Sequence, residues 1–173
     1  MRSSIQRVLP IAAGVLAGVL LLGSAQAVTS GTFTYSNKRV GYLAVSPADL
    51  EVGSSALTFS VSEASMSGAG CHFGGLHLPQ GAQLVSVKFF ETEGISAPLQ
   101  LDVYRVNLAT GTEQFKVLTP TTDGTRQTFT ITVPGSWGSV DNGKYTYTLG
   151  VCHDPSGEFH GAQVRYTYTS AGD

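Results

Sequence analysis

Two of the four histidines directly follow the only two cysteines, His72 after Cys71 and His153 after Cys152, with His77 and His160 five and seven residues further on. A neutral imidazole nitrogen is a good donor for zinc or copper and tolerates loop positions. A bond between the two cysteines would bring His72 and His153 within reach of each other. The spacing matches no metal-binding motif, however, and residues flanking a disulfide usually diverge to opposite sides, so neither a metal nor a cofactor is expected. Hydrolysis would need a nucleophile with a base and an orienting group, or two carboxylates across a cleft. The chain has no Gly-x-Ser-x-Gly elbow and no His-Glu-x-x-His. Glu91 and Glu93, two apart, read as a solvated strand end. Asp141-Asn142-Gly143 and Asp154-Pro155-Ser156 carry oxygen ligands that would suit calcium, but they read first as turns and lack the spaced acids of an EF-hand loop. No catalytic residue is assigned.

Aromatic rings suggest a different chemistry. The single tryptophan, Trp137, lies in Pro134-Gly135-Ser136-Trp137-Gly138-Ser139. It is the ring best placed to stack on a sugar, with Tyr35 and Tyr42 as companions. The competing role is packing, because an isolated Trp beside glycines also covers the open end of a core.

These residues must be held by strands, since period-two alternation dominates and no helical stripe is sustained after Ala27. Leu57, Phe59 and Val61 form one apolar face; Val85, Val87 and Phe89 another; Leu99, Leu101 and Val103 a third. Phe129, Ile131 and Val133 alternate with Thr128, Thr130 and Thr132. Tyr145, Tyr147, Leu149 and Val151 continue the pattern, as do Ala162, Val164, Tyr166 and Tyr168. Weaker strands are expected over 31–35, 42–45, 73–78 and 112–118, with a short helical turn at 47–50. The Gly-rich stretch from Ser65 to Gly75 reads as a loop or a close backbone approach beside Cys71. Turn residues separate the runs at Pro79-Gln80-Gly81, Ala109-Thr110-Gly111, Asp123-Gly124, Asn142-Gly143 and Pro155-Ser156-Gly157. One-sided strands must cover their apolar faces, so the expected fold is an all-β, two-sheet antiparallel β-sandwich. Jelly-roll connectivity is preferred to immunoglobulin-like, because the strands exceed seven and no Cys-Trp-Cys spacing appears.

Residues 1–27 read as a signal peptide: Arg2 and Arg7 precede the apolar run from Val8 to Leu22, and Ala25-Gln26-Ala27 supplies a small-residue cleavage pattern. That run contains Pro10 and falls short of the roughly 20 residues of a membrane span. No membrane span is expected in the mature chain. Residues 28–173 would then form a single secreted domain, extracellular or periplasmic if the host has an outer membrane, and a Cys71–Cys152 disulfide suits that oxidising compartment. A formal net charge of -2 over 173 residues argues against nucleic acid as a partner.

Leu76-His77-Leu78-Pro79-Gln80-Gly81-Ala82-Gln83-Leu84-Val85-Ser86-Val87, together with Tyr145–Val151 and Gly161–Tyr166, resembles a loose group of uncharacterised secreted bacterial β-sandwich domains with a Leu-Pro-x-Gly-Ala turn. Where that group often carries an Asp-Asn pair, this chain has Thr92-Glu93-Gly94. The resemblance implies an exported domain and assigns no catalytic residue. The expectation is a secreted, non-enzymatic binding or structural accessory whose partner is an extracellular glycan or protein. The alternative is a small extracellular hydrolase: a polar cleft pairing a His with Ser, Asp or Glu would favour the enzyme, and a face with exposed rings would favour binding.

Overall fold

The computed structural model describes residues 33–52, 58–60, 65–92, 99–120 and 124–171. The expected signal peptide, Leu57, Val61 and Glu93 lie outside them. The described strands are β1 (Phe33–Val45), β2 (Glu51–Val52), β3 (Thr58–Ser60), β4 (Ser65–Ser67), β5 (Gly70–Gly75), β6 (Gln83–Thr92), β7 (Gln100–Asn107), β8 (Glu113–Leu118), β9 (Arg126–Thr132), β10 (Tyr145–His153) and β11 (Glu158–Ala171). They form two antiparallel sheets. The first runs β3-β4-β11-β6-β9, with β1 also paired to β11; the second runs β2-β5-β10-β7-β8. Only the β3–β4 and β7–β8 connections stay within one sheet, and this repeated crossing between layers is the jelly-roll form of the sandwich. No helix among the described residues is long and apolar enough to cross a membrane.

Alternation decides which side chains meet between the sheets. Leu101 and Val103 of β7, Tyr147, Leu149 and Val151 of β10, Ile131 of β9 and Val164 of β11 all point inward and are buried. The expected inward set on β6 is corrected. Leu84, Val87 and Phe89 are fully buried while Val85 is only partly so, because the β6–β11 register shifts between Arg165 and Tyr166. A bulge there sets Leu84 rather than Val85 on the inner face. A second shift falls between Phe159 and Gly161, where Gly161 takes a φ of +133° that side-chain-bearing residues rarely adopt.

Three other expectations change. The two short strands foreseen around Tyr35 and Tyr42 are one, β1, whose register with β11 shifts between Thr34 and Arg39. It leaves Val40 and Tyr42 47% and 59% exposed. The Gly-rich stretch is not a loop but contributes β4 and β5, and its other reading, a close approach, holds at Gly74, where a Cβ would lie 3.1 Å from the Asp49 carbonyl. Glu91, read as a solvated strand end, continues the inward series of Val87 and Phe89 on a longer β6 and is fully buried. The foreseen turn is a 3-10 turn at Pro47–Asp49, closed by reciprocal Ser46 and Asp49 capping bonds.

Cys71 and Cys152 are bonded, 81 residues apart in sequence and directly opposed on β5 and β10, with a Cα–Cα distance of 4.0 Å. The bridge thus ties neighbouring strands of the second sheet. Closing a loop of that length in the unfolded chain is worth on the order of 4–5 kcal/mol in the chain-entropy treatment. Replacing both cysteines with serine should lower the unfolding free energy by up to about that amount. Chemical denaturation with and without reductant checks this, and an unmoved midpoint would refute it.

Candidate functional site

The outward face of the second sheet is set by the same register that builds the core. Its cross-strand rows are Cys71, Cys152 and Gln100; Phe73, Gly150, Asp102 and Val117; Gly75, Thr148, Tyr104 and Phe115; and Thr146, Val106 and Glu113. A polar stripe would be ordinary on a solvent-facing sheet. This one carries rings. Phe73 and Tyr104 meet edge-on with centroids 6.0 Å apart, and Tyr104 and Phe115 follow, tilted, also at 6.0 Å. The glycine at position 150 makes the first contact feasible: a Cβ there would lie 2.8 Å from Tyr104 and 3.2 Å from Phe73. Phe115 and Val117, on edge strand β8, are 56% and 43% exposed.

Beneath the rings lies Asp102, which faces outward by register yet is fully buried. Its Oδ2 accepts hydrogen bonds from Gln100 Nε2 and Tyr104 Oη, each at 2.8 Å. Its Oδ1 receives none from a described residue. Burial, and then the hydrogen bond to this carboxylate, push the Tyr104 phenol well above the ordinary tyrosine range. The phenol is therefore a committed donor that fixes the tilt of its ring.

Two recesses adjoin this row. One of about 250 Å³ is lined by Phe73, Tyr104, Val106, Glu113 and Thr148. A larger one of about 580 Å³ shares Thr148 and extends past His77, Asn142 and Tyr145. Asn142 is held at its mouth by bonds to Leu78 O (2.9 Å) and from its own N–H to Gln80 Oε1 (2.6 Å). Between them the two recesses are lined by apolar rings, a carboxylate, a hydroxyl and an amide. Such a surface can stack and hydrogen-bond a flat polyhydroxylated ligand.

The residues singled out from the sequence are placed differently. Trp137 is only 8% exposed; its carbonyl accepts from Arg105 Nη1 at 2.7 Å, and the guanidinium lies 5.1 Å from the ring centroid. It seals the sandwich instead of offering an open ring face. Tyr35 packs edge-on against Tyr168 at 5.7 Å, and Tyr42 stands on the outer side of β1. Trp137 makes no ring contact with either tyrosine, so the three do not form one platform. His72 is enclosed in the core, His77 is exposed in the larger recess, and His153 is paired in register with Gly70. Asp141 and Asp154 each accept backbone N–H bonds within their own turns, from Gly143 at 3.2 Å and Ser156 at 2.9 Å.

His160 Nε2 lies 2.8 Å from Thr92 Oγ1 and 3.7 Å from Glu158 Oε2. Both of these partners lie at the same ring nitrogen. The rings that sequence reasoning missed had a readable signal. Once Leu101 and Val103 point inward, Tyr104 must point outward, where a large ring is unusual beside Asp102. Phe115 follows across the β7–β8 hairpin, whereas placing Phe73 beside Tyr104 depends on pairing between strands distant in sequence.

No family model and no curated protein matches this chain. Among solved structures it is similar to TmCBM61 in complex with β-1,4-galactotriose, at 12% identity and a TM-score of 0.35, over 79% of this chain and 90% of that one. A second is a family 11 carbohydrate-binding module from Clostridium thermocellum in complex with a β-1,3-1,4-mixed-linked tetrasaccharide, at 12% identity and a TM-score of 0.35, over 88% and 96%. A third is the family 11 module of the cellulosomal cellulase Lic26A-Cel5E of Clostridium thermocellum, at 12% identity and a TM-score of 0.31, over 82% and 87%.

Proposed function

We propose that this is a secreted, non-catalytic domain that binds carbohydrate on the outer face of its second sheet. The observation that carries the reading is the row Phe73, Tyr104 and Phe115, spanning β5 to β8, with a recess lined by Phe73 and Tyr104 beside it. The apolar faces of a sugar stack on such rings, while its hydroxyls find Thr148, Glu113 and Asn142 along the walls. Two adjacent recesses, one beside the ring row and one reaching His77, suit a chain of sugar units better than a single one. Asp102 acts from below by holding Tyr104 in place. The disulfide fits an oxidising exterior.

Phe115→Ala, at an exposed edge position, should leave the fold intact and weaken retention in polysaccharide affinity electrophoresis by about 3- to 10-fold, given ring contributions of about 0.5–1.5 kcal/mol. Tyr42→Ala, which removes an exposed ring from the other sheet, should leave retention unchanged. The reverse pattern would move the site to β1, and no retention on any polysaccharide would reject the reading.

The raised Tyr104 pKa gives a second test. Because the folded state holds this proton more tightly than the unfolded chain does, the associated stability is fully present below about pH 10. It is lost as pH climbs from there through the folded-state value. Denaturant melts at increasing alkaline pH should show a steeper loss for the native chain than for Tyr104→Phe. Parallel profiles would contradict the assignment.

A further inference from the structure

At the side of the sandwich, three cations gather around two rings. Arg105 lies on the inward face of β7, opposite Tyr147 and Gln114, and is half-buried. Its guanidinium carbon sits 5.1 Å from the Trp137 centroid and 4.5 Å from that of Tyr145. Lys116 Nζ is 5.8 Å from the Trp137 centroid, and Lys144 Nζ is 5.3 Å from that of Tyr145. None of the three forms an ion pair with a carboxylate of a described residue. An acidic neighbour in this region is Asp141, which, like Arg105, acts on Tyr147.

The guanidinium has five N–H donors. Nε donates to Gln114 Oε1 at 2.6 Å and Nη1 to the Trp137 carbonyl at 2.7 Å. Both acceptors are neutral, and the remaining donors, including both on Nη2, bond to no described residue. The rings attract the charge without neutralising it. A half-buried cation left this way carries a desolvation cost that an anion would offset, and a planar fork with open N–H groups matches the paired oxygens of an oxyanion.

We propose that Arg105, Lys116 and Lys144 form a binding site for an oxyanion, a carboxylate or a sulfate. Arg105 supplies the directed hydrogen bonds, and the two lysines add attraction from either side of the aromatic pair. The site stands independently of the ring row on the outer face. The oxyanion is either a free inorganic anion or the acidic group of a saccharide.

Trp137 is the only tryptophan, so its emission reports on this site alone among the chain's indoles. The full chain is titrated with sodium sulfate against sodium chloride of equal ionic strength, and with trigalacturonate against an uncharged trisaccharide. A saturable emission change with sulfate supports the site with a free anion as sufficient ligand; one with trigalacturonate alone supports it with an acidic saccharide as the source. In Arg105→Gln, affinity should fall about tenfold or more, as for loss of a charge-assisted hydrogen bond. Should that variant not fold, the Lys116→Gln and Lys144→Gln double variant keeps the Arg105 anchors and should weaken binding severalfold. No saturable change with either probe, or undiminished affinity in these variants, overturns the proposal.

Discussion

Apolar side chains from two one-sided sheets meet in a single layer, and the rest of the domain is arranged around keeping that layer dry. Phe89 and Leu84 from one sheet, with Leu101, Leu149 and Val151 from the other, are removed from water altogether. A strand that commits one face to this layer has no choice about the other face. The candidate surface is therefore a by-product of core packing: with Leu101 and Val103 inward, Asp102 and Tyr104 must sit on the outside of the same strand. The bonded pair Cys71 and Cys152 fixes the β5–β10 register, and with it the position of Phe73 over Gly150.

Where a strand alternates without interruption, its inward set is legible in the residues themselves. The β7, β9 and β10 patterns were of this kind, because a period of two leaves only one way to bury the larger side chains. The β6 pattern was not, since a bulge adds one residue to the count and bulges follow from pairing with a partner rather than from local composition. Glu91 was misread for a related reason. A charged residue near the end of an apolar run suggests a boundary, yet the strand continues and carries it inward. The Gly-rich stretch hid β4 and β5 because glycine lowers strand propensity while permitting the close approach that Leu50 makes to Gly74.

The candidate site was less legible than the fold. The disulfide could be inferred because only one pairing exists, whereas the ring row of the candidate site was not among the rings singled out. Trp137 attracts notice as the lone indole, yet its size makes it a better plug for the end of a core than a free platform, and Arg105 completes the seal. Tyr104 and Phe115 face each other across the β7–β8 hairpin, but Phe73 comes from β5, with β6 of the other sheet lying between β5 and β7 in sequence. Their meeting depends on strand order in the second sheet, which alternation does not encode. Asp102 is likewise paired in register with Gly150, a residue on a neighbouring strand.

β1 lies at the margin of the first sheet, paired on one side to β11, and carries exposed Val40 and Tyr42. A long border strand with apolar side chains is a template onto which another chain can add by hydrogen bonding, the opening step of edge-to-edge aggregation. Lys38 and Arg39 stand immediately before these residues, both exposed. Two adjacent positive charges make stacking of identical borders self-repelling, and the register shift beside them interrupts the flat ladder that such growth requires. The irregular, positively charged stretch of β1 therefore combines two of the features by which natural border strands discourage pairing with another chain.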